Sequence, residues 1–168
     1  SNTVAGFRHN IDETGTYKVI ASDDGNNRTG SYHLYFVLIP GANEYPISGN
    51  NFVISETFQR GDMDTYTFSA KAGDKVTITM VDINEVPNSF EPRIELFGPS
   101  GGQFLRYSQA PKTAKIEEYS IEEGGIYTIL ATEDDGNRIG DYELTFKKEV
   151  APSTVPASSM LSLLMIFI

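Results

Sequence analysis

The sequence predicts an all-β protein: one complete antiparallel β-sandwich domain preceded by an incomplete N-terminal repeat of the same domain. Three observations support this prediction. Threonine, valine, isoleucine, tyrosine and phenylalanine are plentiful, which favours strands. Short segments of alternating apolar residues are separated by turn-forming residues, and no segment shows a helical period. One segment occurs twice, near the start and near the end of the chain.

The repeated segment is NIDETGTYKVIASDDGNNRTGSYHLYF at residues 10–36 and SIEEGGIYTILATEDDGNRIGDYELTF at residues 120–146. The two copies align without a gap at an offset of 110 residues. Identical pairs include Ile11/Ile121, Glu13/Glu123, Gly15/Gly125, Tyr17/Tyr127, Asp24/Asp134, Asn27/Asn137, Tyr32/Tyr142, Leu34/Leu144 and Phe36/Phe146. Such dense identity indicates an internal repeat.

Each copy is predicted to form two strands joined by a long, turn-rich loop, as a hairpin-like pair. In the second copy, Tyr127 and Ile129 share one face of the first strand, and Tyr142, Leu144 and Phe146 share one face of the second. The same pattern in the first copy predicts two strands there as well.

Five further segments between the copies show strand patterns: residues 50–58, 61–70, 75–82, 92–102 and 103–108. Apolar residues predicted to share a face within them are Tyr66, Phe68, Ala70, Val76, Ile78, Met80, Ile94 and Leu96. Since about 100 residues suffice for a sandwich, residues 47–148 are predicted to form the complete domain. Residues 1–40 then correspond only to the C-terminal strands of another.

Composition excludes several classes of function. The net charge of −10 and the lack of a Lys/Arg patch exclude nucleic acid as a partner. The absence of cysteine excludes disulfides, thiolate zinc sites and thiol catalysis. The two histidines, His9 and His33, have Tyr119 and Glu143 as counterparts at the repeat offset, so we interpret them as solvent-facing residues. With no catalytic motif visible, the chain is predicted not to be an enzyme.

The complete repeat resembles the bacterial pre-peptidase C-terminal domain. The motifs that carry the resemblance are GDMDTYTFSAKAGDKVTITM, PRIELFGPSG and GGIYTILATEDDGNRIGDYELTF, in that order. The resemblance implies a jelly-roll-like sandwich that is secreted or surface-exposed. It also implies a role in secretion, stability or attachment, and some related modules bind calcium and collagen.

Two acidic loops are candidate calcium sites, because they place several oxygen ligands beside a glycine. The candidate ligands are Asp23, Asp24, Asn26, Glu133, Asp134 and Asp135. An ordinary turn explains the same residues. The first loop also carries a glycosylation acceptor, Asn27 in Asn-Arg-Thr, although such triplets also occur by chance.

The C-terminal end combines a Pro/Ser/Thr linker at residues 149–159 with an apolar segment at residues 160–168. Nine residues are too few to span a bilayer as a helix, which needs about 20. Three hypotheses fit the apolar segment: the start of an anchor or sorting signal, a strand that folds back on its own domain, or a strand donated to a neighbour.

The leading hypothesis is an extracellular or cell-surface structural protein, a filament subunit that assembles head-to-tail with itself by β-strand complementation. The predicted subunit interface is Tyr17, Val19, Tyr32, Leu34, Phe36, Met160, Leu161, Leu163, Leu164, Met165, Ile166, Phe167 and Ile168. The alternative is a calcium-assisted adhesive module that binds a matrix protein or a glycan. Apart from calcium, no cofactor is predicted, and a membrane is predicted as a partner only if the C-terminal segment continues as an anchor.

Overall fold

A computed structural model describes residues 5–25, 27–41, 44–84, 90–100 and 102–153. Nine strands occur among them: β1 (Tyr45–Pro46), β2 (Asn51–Phe58), β3 (Met63–Ala70), β4 (Lys75–Asp82), β5 (Pro92–Phe97), β6 (Phe104–Gln109), β7 (Thr113–Ser120), β8 (Gly125–Glu133) and β9 (Gly140–Glu149). This part of the chain contains no helix, and so none that is long and apolar enough to cross a membrane.

The strands form two sheets, ordered β1-β3-β8-β5-β6 and β2-β9-β4-β7. The eight long strands pair in nested order, β2 with β9, β3 with β8, β4 with β7 and β5 with β6, and every one of these pairs is antiparallel. A long hairpin rolled into two facing sheets has this pairing, which is the jelly roll. The predicted fold class is therefore confirmed. The short β1 adds to β3 in parallel at the sheet edge.

The core between the sheets is built from the alternating apolar residues of the strands. Every shared face predicted for residues 61–97 and for the second copy is buried. Aromatic rings join the two sheets: Phe68 of one sheet lies 4.6 Å from Phe146 of the other, between ring centroids. Within the other sheet, Phe58 stacks on Tyr142 at 4.4 Å. Burial of each such side chain contributes about 1.5–3 kcal/mol.

The two strands of the second copy do not pair with each other. β8 lies between β3 and β5 in one sheet, and β9 lies between β2 and β4 in the other. The prediction of a hairpin-like pair is therefore wrong. A turn-rich loop shows that the chain reverses, but the loop does not determine which sheet the next strand joins.

The first copy forms no strand within its described residues, 10–25 and 27–36, so the prediction of two strands there is also wrong. The second copy explains why. Each of its strands depends on two neighbours that come from earlier in the chain, and the two strands give each other no backbone hydrogen bonds. Residues 10–36 have the same pattern without those neighbours, and an unpaired strand leaves its backbone groups unsatisfied.

Asp74 closes one end of the sandwich. Its carboxylate is 2% exposed and accepts hydrogen bonds from the backbone N–H of Ala151 (2.9 Å) and of Lys71 (3.0 Å). Its backbone carbonyl accepts the N–H of Ile121 at 2.9 Å. The side chain of Asp74 therefore joins the turn before β4 to the segment that follows β9, and its backbone carbonyl adds the segment before β8.

Candidate functional site

The first copy exposes the side chains that the second copy buries. Tyr32, Leu34 and Phe36 are 72%, 62% and 75% exposed, whereas their counterparts Tyr142, Leu144 and Phe146 are each 0% exposed. Because the paired residues are identical in type, the difference comes from the missing strand neighbours and not from the side chains.

We call the exposed apolar residues of this segment the first-copy surface. It contains the predicted interface residues Tyr17, Val19, Tyr32, Leu34 and Phe36. Ile11, Ile20 and Leu38, which were not among the predicted interface residues, are exposed as well. A large exposed apolar surface is unusual on a monomeric protein, so the first-copy surface is the candidate interaction site. The remaining predicted interface residues, Met160–Ile168, lie outside the described residues.

The end of the first copy is held against the sandwich at two glycines. At Gly61, a β-carbon would lie 1.9 Å from Cε1 of Tyr35, so the tyrosine ring occupies the space that a side chain would need. At Gly102, a β-carbon would lie 2.5 Å from the carbonyl oxygen of Ile39. Both glycines also have positive φ, which disfavours any other residue there.

Glu44 continues this contact over the outer face of the five-stranded sheet. Its Oε1 accepts hydrogen bonds from the backbone N–H of Gly41 (3.0 Å) and from the hydroxyl of Thr128 on β8 (3.2 Å). The chain then enters β1 at the edge of the same sheet. The segment that follows the first-copy surface is therefore anchored, while the surface itself stays exposed.

The acidic loop of the first copy forms a turn. Asp23 Oδ2 accepts the backbone N–H of Asn27 (3.1 Å) and of Arg28 (3.3 Å), which is the usual role of aspartate in a turn. Asp24 and Asn27 are exposed, and Asn26 lies outside the described residues. Glycosylation of Asn27 and calcium binding by this loop both stay predictions.

The acidic loop of the second copy is organised around Arg138. The guanidinium lies 3.3 Å from Glu91, 3.6 Å from Glu133 and 3.7 Å from Asp135. The hydrogen bond to Glu91 is the main cause that raises the pKa of Arg138. Glu133 Oε2 also accepts the backbone N–H of Asn137 at 3.0 Å. A cationic side chain thus lies among the carboxylates predicted to bind calcium.

Asp134, the third predicted ligand of this loop, turns away towards β5 and β6. Its Oδ1 accepts a hydrogen bond from Arg93 at 3.0 Å, and its Oδ2 accepts one from Gln109 at 2.8 Å. Within the described ranges, no three His, Asp or Glu side chains are arranged to hold a metal ion. One oxygen there has no hydrogen bond although it is buried, namely Glu133 Oε1.

A buried network of hydrogen bonds, which no sequence motif predicted, joins the two sheets. The Tyr142 hydroxyl donates to Asp64 Oδ2 at 2.8 Å, so the Tyr66 hydroxyl, 2.6 Å away, must donate to Tyr142. Burial raises the pKa of Asp64 and raises that of Tyr66 to about 12. Burial also raises the pKa of Tyr142, so both hydroxyls stay protonated at neutral pH. His9 and His33 are exposed, as predicted.

No protein-family model matches the sequence, and no curated protein matches it. Solved structures are similar. The chain resembles the pre-peptidase C-terminal domain of a Bacillus anthracis collagenase, with 21% identity and a TM-score of 0.51 over 64% of this chain and 97% of that one. It also resembles PliG of Aeromonas hydrophila, a periplasmic inhibitor of g-type lysozyme, with 14% identity and a TM-score of 0.50 over 63% and 96%.

A third similar structure is CorA, a surface-associated copper-binding protein of Methylomicrobium album BG8, with 9% identity and a TM-score of 0.52 over 64% of this chain and 98% of that one. At these identities the likenesses show the fold alone. They confirm the fold of the pre-peptidase C-terminal domain, which the sequence motifs implied.

Proposed function

We propose that this chain is a non-catalytic structural protein of the cell exterior or periplasm, which assembles when its first copy is completed by strands of a neighbouring molecule. The similar structures support the location, since one is described as periplasmic and another as surface-associated. The proposal for assembly rests on one observation: equivalent apolar side chains are exposed in the first copy and buried in the second.

The strand neighbours that the second copy has and the first copy lacks define what a partner must supply. In the second copy, β8 and β9 each bind two neighbouring strands, and their apolar faces close on the opposite sheet. A partner that supplied equivalent strands to the first copy would bury Tyr17, Tyr32, Leu34 and Phe36. At about 1.5–3 kcal/mol for each large side chain, the four would contribute about 6–12 kcal/mol before the costs of association.

The geometry of such a joint leads to a filament. The donor and the acceptor are different parts of the chain, so the contact is heterologous, and it builds a filament when the rotation between subunits does not close a ring. The apolar residues Met160–Ile168 are the donor that the sequence predicts, and their short length suits only one of the strands that the first copy lacks. Strand addition of this kind gives backbone hydrogen bonds as well as apolar burial.

The test compares assembly of four chains by sedimentation velocity and negative-stain microscopy. They are the intact chain, a chain ending at Ser153, a Leu34→Asp/Phe36→Asp variant and an Ile139→Asp variant. Ile139 is as exposed as Leu34, but it lies in the loop of the complete domain. We expect filaments from the intact chain and from Ile139→Asp only. An intact chain that stays monomeric at every concentration contradicts the proposal.

A second candidate function is calcium-assisted adhesion to a matrix protein or a glycan. The observation that favours it is Glu133 Oε1, a buried oxygen without a hydrogen bond beside two further carboxylates. A calcium ion would satisfy this oxygen, provided that Arg138 moved away. The exposed carboxylates and backbone oxygens of the loop would then have to complete the shell of six to eight ligands.

Thermal unfolding with calcium and with a chelator tests this candidate. If the second loop binds calcium, saturation at about 100 times Kd stabilises the fold by about 2.7 kcal/mol. The Glu133→Gln variant should lose that increase, and Asp24→Ala, in the loop of the first copy, should retain it. The same melting temperature with and without calcium for the unmodified chain rejects the candidate.

A further inference from the structure

Arg8 lies on the sandwich in a pocket of aromatic rings and a carboxylate. The centre of its guanidinium is 4.3 Å from the ring centroid of Phe104 and 5.3 Å from that of Phe97. Its Nη2 donates to Glu95 Oε2. Phe97 and Phe104 are themselves packed edge to face at 5.9 Å. This combination of ring faces and an anion is one that binds a guanidinium well.

Glu95 makes this pocket selective for a cation. Its side chain is only 6% exposed, so its charge needs partners within the protein. Arg93 satisfies Oε1 through Nε (2.9 Å) and Nη2 (2.7 Å), but it also binds Asp134 through Nη1 (3.0 Å). Without Arg8, the carboxylates of Glu95 and Asp134 would share the guanidinium of Arg93. Arg8 supplies a second guanidinium. Among the described residues, no other ion pair reaches Glu95 Oε2.

The charged partner comes from far away in the sequence, and its side chain is partly exposed. Arg8 and Glu95 are 87 residues apart, and Arg8 is the only residue of 5–25 with a salt bridge to the sandwich. The Arg8 side chain is 44% exposed, and its neighbours His9 and Asn10 are exposed too. The pocket is thus built into the sheet, while its occupant is carried by a segment without strands.

We propose that Glu95, Phe97 and Phe104 form an arginine-binding site, filled within this chain by Arg8 and open to an arginine on an extended segment of a partner protein when Arg8 leaves. Arginine is preferred to lysine because the guanidinium contacts the aromatic rings and still has a separate N–H group that reaches the carboxylate. The site lies on the outer face of the five-stranded sheet. It is independent of the proposed strand complementation, and either one can fail without the other.

The experiment uses the full chain with Arg8→Ala and the octapeptide AGFRHNID, which corresponds to residues 5–12. Binding is followed by calorimetry and by the amide NMR shifts of Phe97 and Phe104. We expect saturable binding to Arg8→Ala and at least about tenfold weaker binding to the unmodified chain, because the tethered Arg8 competes at a high effective concentration. A peptide with citrulline, the neutral isostere of arginine, should bind at least about tenfold more weakly than the arginine peptide.

Two further variants in the Arg8→Ala background locate the site. Glu95→Gln removes the charge, and Phe104→Ala removes an exposed ring without opening the core, so the second remains informative if the first fails to fold. Both should abolish the shifts. The proposal is overturned if the peptide does not bind Arg8→Ala, or if the citrulline peptide binds equally well. Binding that persists in folded Glu95→Gln or in Phe104→Ala also overturns it.

Discussion

Replacing Phe146 by alanine is expected to lower the free energy of unfolding by about 3–5 kcal/mol, the usual cost of deleting a large buried ring. Phe146 is fully buried on β9, a strand with a neighbour on each side, and its ring contacts Phe68 of the opposite sheet. The equivalent change in the first copy, Phe36→Ala, is expected to change that free energy by less than about 0.5 kcal/mol, as for an exposed side chain.

Urea unfolding followed by far-ultraviolet circular dichroism measures both values, under conditions where the chain is monomeric. The two variants are matched controls for each other, because they make the same substitution at the same position of the repeat. Similar losses for Phe36→Ala and Phe146→Ala in the monomer would mean that the first copy is already packed. That result would remove the basis of the proposed strand complementation.

The fold class could be predicted from the sequence because the alternation of apolar and polar residues determines which side chains of a strand face the core. The prediction was most accurate where the pattern is plain, as in β4, where Val76, Ile78 and Met80 are all buried. It missed β7, in which Ala114 and Ile116 face the core. Only these two residues of β7 are buried, so the alternation is too short to stand out in the sequence.

The arrangement of strands needed information that no single segment contains. A local reading of the second copy cannot show that β8 and β9 enter different sheets, because each strand is placed by neighbours from earlier in the chain. The same limit explains the error on the first copy. Its pattern is that of a strand pair, and its structure depends on partners that residues 10–36 do not include.

The apolar residues of the first-copy surface could be read from the sequence, whereas contacts between residues far apart in the chain could not. The exposed residues Tyr17, Val19, Tyr32, Leu34 and Phe36 follow from the repeat and its incompleteness. The contact between Arg8 and Glu95 spans 87 residues, and neither residue belongs to a motif. Only the fold brings them together.

Asp74→Ala is expected to lower the free energy of unfolding by about 2–4 kcal/mol, because it removes hydrogen bonds from two backbone N–H groups to a buried carboxylate. The donors belong to Ala151 and Lys71, so the loss affects both the turn before β4 and the chain after β9. Asp74→Asn keeps the shape and one acceptor oxygen, and it is expected to lose roughly half as much. Asp24→Asn, on an exposed residue of the first copy, is the control and should have no effect.

The effect of Asp74 also depends on pH in a direction that the structure fixes. The hydrogen bond from Ala151, followed by that from Lys71, lowers the pKa of Asp74 below its ordinary value of 3.8. The folded state therefore holds the proton less tightly than the unfolded chain, and the stabilisation is present above pH 3.8 and lost as the pH falls through the folded pKa.

Burial raises the pKa of Asp64, so that residue contributes in the opposite direction, with stability falling as pH rises. The difference between the unmodified chain and Asp74→Asn cancels the contribution of Asp64. This difference should be constant near neutral pH and should shrink as urea unfolding is repeated from pH 3.8 down to about pH 2. A difference that stays constant over that range would mean that the charge of Asp74 does not hold the end of the sandwich together.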